Sequence, residues 1–198
     1  MRLVLATHNK GKVRELRTLL ADTDWEILTL SEFPRAPIVT EDGVTFRDNA
    51  IKKAREISHA LGEVTLADDS GLEVDYLNGA PGVHSARFAG YNGNDAANNE
   101  KLLRLLKGVP WEKRTARFRC VVALADPSGK VVTTEGVCEG LITNEPRGEN
   151  GFGYDPLFFV PEYRKTFAEL DGSIKNSISH RARALRKVKK LLQEFINK

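Results

Sequence analysis

The chain has 198 residues, 41% of them hydrophobic and 29% charged, with 30 Lys plus Arg against 27 Asp plus Glu for a formal charge of +3. At this length roughly 70% of the unfolded surface can be buried, so a single globular domain needs neither disulfides nor a structural metal, and disorder, collagen and disulfide scaffolds are excluded. Acids and bases are interleaved rather than gathered in an arm, which permits a phosphate-rich ligand but does not suggest a nucleic-acid coat protein.

Leu3-Val4-Leu5-Ala6 reads as a buried strand, Thr7-His8-Asn9-Lys10-Gly11-Lys12 as a polar turn, and Val13, Leu16, Leu19 and Leu20 as the apolar face of a helix. A second strand falls on residues 26–30, followed by a loop rich in proline and acid over 33–43. Thr45 with Asp48 three residues on resembles a capping box, and Phe46, Ala50, Ile51, Ala54, Ile57 and Leu61 share one helical face. The next strand covers 64–67 and ends at Asp68-Asp69-Ser70-Gly71. A loop runs from Gly79-Ala80-Pro81-Gly82 to Gly90-Tyr91-Asn92-Gly93, and a helix over 96–106 follows it. Stretches 117–125 and 130–136 flank Asp126-Pro127-Ser128-Gly129, a type I turn, and so form a hairpin. A last strand over 156–160 precedes a C-terminal helix over 179–195 with Ala182, Leu185, Val188, Leu192 and Phe195 inward.

Alternating strands and helices interrupted by an antiparallel hairpin predict an α/β fold: one domain over 1–198, built on a long mixed sheet with helices, its two lobes flanking a central cleft. Cys120 and Cys138 lie in apolar, strand-like stretches without CxxC pairs, as buried reduced thiols do. No apolar run approaches the roughly 20 residues of a membrane span, and the N-terminal run is too short for a signal peptide, so a soluble cytoplasmic protein is expected.

Four stretches carry chemistry. The 7–12 turn lies between strand and helix, where unpaired N–H groups and the helix dipole attract an anion; Lys10 and Lys12 oppose that dipole by roughly 0.3–1 kcal/mol each unless a phosphate offsets them. A solvated turn is the alternative. Asp68-Asp69 follows a buried strand, where open α/β sheets place ligands, and Glu41 with Asp69 can offer a magnesium ion hard oxygen ligands near Lys53. Otherwise the aspartates cap the turn. In Gly151-Phe152-Gly153-Tyr154-Asp155-Pro156 the flanking glycines leave the Phe152 ring open to stack on a planar base, unless the aromatics pack in the core. Finally, Ser177 or Ser179 can cap the last helix, placing His180 and Arg181 in its first turn, where positive charge is unfavourable unless it serves a ligand; a surface cap is the alternative.

These segments, together with Phe46-Arg47-Asp48-Asn49-Ala50, Lys53-Ala54 and Ser85-Ala86-Arg87, occur in order along nearly the whole chain, which resembles the Ham1/inosine triphosphate pyrophosphatase family. The resemblance implies hydrolysis of non-standard purine triphosphates (ITP, dITP, XTP) to monophosphate and pyrophosphate. It implies an elongated fold, a homodimer and Mg2+ as cofactor. Asp69 is the implied catalytic residue, and Glu41 and Asp69 the metal ligands. Thr7, His8, Asn9, Lys10, Gly11, Lys12, Lys53 and Ser70 are assigned to triphosphate and sugar; Phe152, Gly153, Tyr154, Asp155, Lys175, His180 and Arg181 are assigned to the base. A Maf-like pyrophosphatase with other nucleotide preferences is a second reading, against which the Phe152 and His180-Arg181 segments argue. A nucleotide- or RNA-binding module without catalysis is a third.

Overall fold

The computed structural model describes residues 1–90 and 93–196, with side chains described as far as residue 192; the readings for Tyr91, Asn92 and Phe195 lie outside the described residues. In chain order the elements are β1 (Arg2–Leu5), α1 (Lys10–Leu20), β2 (Glu26–Thr29), α2 (Phe46–Leu61), β3 (Val64–Val74), α3 (Asp95–Leu105), β4 (Thr115–Ala125), β5 (Val131–Ile142), β6 (Phe158–Val160), β7 (Lys165–Thr166), α4 (Gly172–Ile178) and α5 (His180–Ile196). The strands make a seven-stranded sheet in the order β2-β1-β3-β4-β5-β6-β7. Parallel pairing sets Leu3 opposite Ile27 and Val64, whereas β6 is antiparallel to both β5 and β7, so the sheet is mixed as expected.

Local chemistry accounts for most element ends. Thr45 Oγ1 accepts from the Asp48 backbone N–H at 3.1 Å and starts α2; Gly62, at φ +69°, ends it. Asn9 Oδ1 accepts from the Lys12 N–H at 3.0 Å, so α1 begins at Lys10. Lys10, Gly11 and Lys12 are therefore the first helical turn, not a loop, because the carboxamide of Asn9 supplies the cap. Asp126 Oδ1 accepts from the Ser128 and Lys130 N–H groups and sets the β4–β5 turn.

The largest departure from the expected elements is β3. It does not stop at Ala67 but continues through Asp68, Asp69, Ser70 and Gly71 to Val74. An acidic pair reads as a turn because ionised carboxylates resist burial, yet here Asp68 is 1% and Asp69 5% exposed. Their partners come from distant parts of the chain. Strand β7 and helix α4 are too short to leave a periodic signal, and Ser177 lies inside α4, its hydroxyl donating to Ile174 O, rather than capping α5.

The chain divides into two compact units, each with its own core: Met1–Asp69 with Cys120–Gly136 and Arg181–Lys198, and Ser70–Arg119 with Val137–His180. In the first, Leu3, Leu5, Leu16, Leu66, Cys120, Leu185 and Val188 pack together; Ala182, Leu185, Val188 and Leu192 are each 1% exposed, the inward face expected of α5. In the second, the Phe118 ring meets Phe158 at 4.6 Å and His180 at 4.7 Å, with Leu72, Leu102 and Phe167 around them.

Among the described residues no helix is long and apolar enough to cross a membrane. Cys120 and Cys138 are free and buried. Burial, reinforced by the charge of Asp68, pushes the Cys120 thiol up to about 12. Because only the thiolate is nucleophilic, Cys120 in the native protein should resist iodoacetamide at pH 8 and react once the chain is unfolded in guanidinium. Intact-mass measurement of the two samples checks this.

Candidate active site

In the first unit, β3 points successive side chains to opposite faces, which separates the two aspartates by role. Asp68 Oδ2 lies 3.0 Å from Lys12 Nζ and 3.2 Å from Arg181 Nη2; Arg181 also pairs with Glu15 through Nη1. Burial alone would raise the Asp68 pKa, but Lys12, Arg181 and Lys53 together hold this carboxyl well below the usual carboxylate range. Asp68 is thus a fixed anion, and the cations around it are held by distant helices.

Asp69 has a different environment. Its Oδ2 accepts from Asn49 Nδ2 at 2.9 Å. Burial raises its pKa, Lys53 and Lys12 oppose that rise, and the negative charge of Glu41 adds to it. Lys53 Nζ reaches both Glu41 Oε1 and the Asp68 carbonyl at 2.7 Å. Asn49 and Lys53 stand one turn apart on the buried face of α2, which brings Glu41, Lys53 and Asp69 into one cluster.

Glu41 and Asp69 fit a hard divalent cation. Both offer carboxylate oxygens, and the repulsion that Glu41 adds at Asp69 is what such a charge relieves. Among the described residues no three His, Cys, Asp or Glu side chains form a cage. The arrangement therefore suits an ion that keeps waters or takes ligand oxygens, as Mg2+ does. Of the remaining residues expected on this side, Thr7 Oγ1 accepts from Asn9 N at 3.2 Å, His8 and Lys10 are exposed, Gly11 is buried, and half-buried Ser70 opens the second unit.

In the second unit Asp155, 3% exposed, organises the glycine-flanked loop. Its Oδ2 accepts from the Phe152 N–H at 2.9 Å and from Lys175 Nζ at 2.6 Å, and Lys175 Nζ lies 4.8 Å from the Phe152 ring centroid. Gly151 has φ +81°, and a Cβ there would collide with Asp155 Oδ2. Gly151 thus serves the approach of Asp155 as well as the openness around Phe152. Tyr154 is a core residue, 4% exposed with its hydroxyl donating to Ser85 O at 2.9 Å, so it supports the loop from beneath. His180 stacks on Phe118 in this unit; Arg181, expected beside it at the base edge, belongs to the first unit with Asp68 and Glu15.

Sequence reasoning gave no role to Asn49, Glu15, Asp95 or Asn99. Asp95 Oδ2 accepts from the Gly153 N–H at 2.7 Å and Asn99 Nδ2 donates to Gly153 O at 2.9 Å, so α3 grips the Phe152 loop on both edges. The available signals were weak: polar residues at i and i+4, as at Asn49 and Lys53 or Asp95 and Asn99, look like a solvated stripe until a partner is known.

A mixed seven-stranded sheet carrying a buried acid–lysine cluster defines the class, an α/β protein built to hold ionised carboxylates inside its fold. The chain belongs to the Ham1 family, whose model matches residues 3–191. It is 62% identical over 195 residues to the dITP/XTP pyrophosphatase of Desulforamulus reducens, covering 98% of this chain and 97% of that protein. It is 54% identical over 184 residues to the Geobacter sulfurreducens dITP/XTP pyrophosphatase, covering 93% and 92%. Among solved structures, a Ham1 protein from Coxiella burnetii superposes with a TM-score of 0.88 at 44% identity, covering 98% of this chain and 99% of the other. The Staphylococcus aureus Ham1 protein gives 0.87 at 40% identity, again covering 98% and 99%.

Proposed function

We propose that this protein hydrolyses ITP, dITP and XTP to the nucleoside monophosphate and pyrophosphate, removing non-standard purines from the nucleotide pool. The observation that carries this reading is the cluster of buried Asp69 and Lys53 with half-buried Glu41, set in a chain that matches a dITP/XTP pyrophosphatase over 98% of its length. The reaction needs water aimed at the α-phosphorus and charge neutralisation on the departing pyrophosphate. Asp69 orients that water and takes its proton. Lys53 and Lys12 supply positive charge, and the first turn of α1 supplies backbone N–H groups, with Thr7, His8, Asn9, Lys10 and Gly11 lining the triphosphate. Ser70 meets the sugar. Glu41 and Asp69 hold Mg2+, which when bound adds positive charge for the phosphate oxygens.

In the second unit Phe152 stacks on the base, and Asp155, Lys175 and His180 set its edge. Hypoxanthine and xanthine present O6 as an acceptor to donors such as Lys175, whereas adenine presents a donor there; a buried mismatch of that kind can cost about 10⁴-fold. Guanine shares O6, so rejecting GTP requires its 2-amino group to lack an acceptor or meet a wall. Pyrophosphate release measured with Mg2+ across ITP, XTP, dITP, GTP, ATP and TTP tests the reading: the first three should turn over fastest. Preference for TTP would favour a Maf-like enzyme, and no turnover would leave a binding module. Phe152→Ala should raise KM for dITP about 10-fold, from the roughly 1–3 kcal/mol of one stacking contact, with kcat little changed. Steady-state kinetics checks the split. The homodimer and the cytoplasmic setting belong to the same reading; light scattering should return twice the mass of one chain.

A further inference from the structure

Asn49 is buried, 1% exposed, and its amide can be oriented in one way only. The Gly43 backbone N–H donates to Asn49 Oδ1 at 2.8 Å, a bond that the amide nitrogen cannot accept. Nδ2 must then point the other way, where it donates to Asp69 Oδ2 at 2.9 Å. One end of the side chain thus holds the loop that carries Glu41, and the other holds Asp69. The helix fixes the middle: the Asn49 N–H bonds to Thr45 O at 3.3 Å, in the turn capped by the Thr45 hydroxyl. Gly43 is matched to this contact, since a Cβ there would stand 2.7 Å from Asn49 Oδ1 and 2.8 Å from Asp48 Cβ.

We propose that Asn49 is a positioning residue that locks the Glu41 loop to the Asp69 carboxylate, so that the two acids face a divalent cation already arranged. This rests on the assignment of Glu41 and Asp69 as its ligands. Groups that hold metal ligands from behind are typically worth 10–100-fold in affinity or activity. Their bonds need not be charged to matter, because a ligand that wanders must be ordered again at every binding event.

The test is Mn2+ binding followed by electron paramagnetic resonance with pyrophosphate present, on wild type, Asn49→Ala and Gly43→Ala. Gly43→Ala keeps the Asn49 side chain but presses its Cβ on Asn49 Oδ1 and Asp48 Cβ, which pushes the loop off the start of α2, so it remains informative if Asn49→Ala folds poorly. Both variants should weaken Mn2+ at least about 10-fold, lowering kcat by a similar factor while KM for dITP moves less than about 3-fold. Glu41→Gln and Asp69→Asn serve as references. If these weaken Mn2+ while Asn49→Ala and Gly43→Ala bind it as wild type does, the positioning role is overturned and the ligand assignment stands. If Glu41→Gln and Asp69→Asn leave Mn2+ binding unchanged, the ligand assignment and the positioning role both fall.

Discussion

Asp69→Asn should lower kcat at least about 10²-fold, the lower range of acid–base effects, while KM for dITP stays within a few-fold. The substitution is nearly isosteric, and Asn at this position can still accept the bond from Asn49 Nδ2, so the local fold has little reason to change. What disappears is the charge and the ability to take a proton. Burial pushes the Asp69 pKa upward while Lys53, Lys12 and Asn49 pull against it, a balance suited to a group that changes protonation during turnover. Circular dichroism establishes that the variant is folded, and kinetics with dITP and XTP measures the loss. Unchanged kcat with a raised KM would move Asp69 from the chemistry to binding and leave the proposed mechanism without its base.

The second large effect falls on stability. Asp68→Asn should destabilise the fold by about 3–5 kcal/mol, because it strips the shared anion from half-buried Lys12 and fully buried Arg181, whose charges no longer have that carboxylate within 3.2 Å. For a chain of this size, each kcal/mol lowers the midpoint by roughly 2–4 °C, so a fall of about 6–20 °C is expected in calorimetry. Asp68→Asn combined with Lys12→Met should recover part of the loss, since one uncompensated cation is removed with its partner. Removing the exposed Lys52–Asp42 pair is the comparison and should leave the midpoint where it was. An Asp68→Asn midpoint equal to wild type would mean that water, not Asp68, satisfies those cations.

Much of the fold was legible along the chain. Thr45 and Asp48 announced the start of α2, the apolar spacing of α5 gave its inward face, and the ordered motifs pointed to the Ham1 family. The reading went astray where a residue's meaning depended on a remote partner. Asp68-Asp69 looked like the end of a strand because two carboxylates prefer water; Lys12, Arg181, Asn49 and Lys53, brought from α1, α5 and α2, make it possible to bury them inside β3. For Tyr154 the base-site and core readings both stood open along the chain, because its hydroxyl partner, Ser85 O, lies 69 positions away.

The sequence by itself determined the order of the longer elements, the start of α2, the inward face of α5 and the family, which follow from periodicity, short-range chemistry and ordered motifs. The tertiary structure decided which charged groups are inside and which partners make their burial tolerable. Desolvation of an ion is offset only by charges and donors placed within a few ångströms of it, and that placement depends on the packing of α1, α2 and α5 against the sheet rather than on any local run of residues.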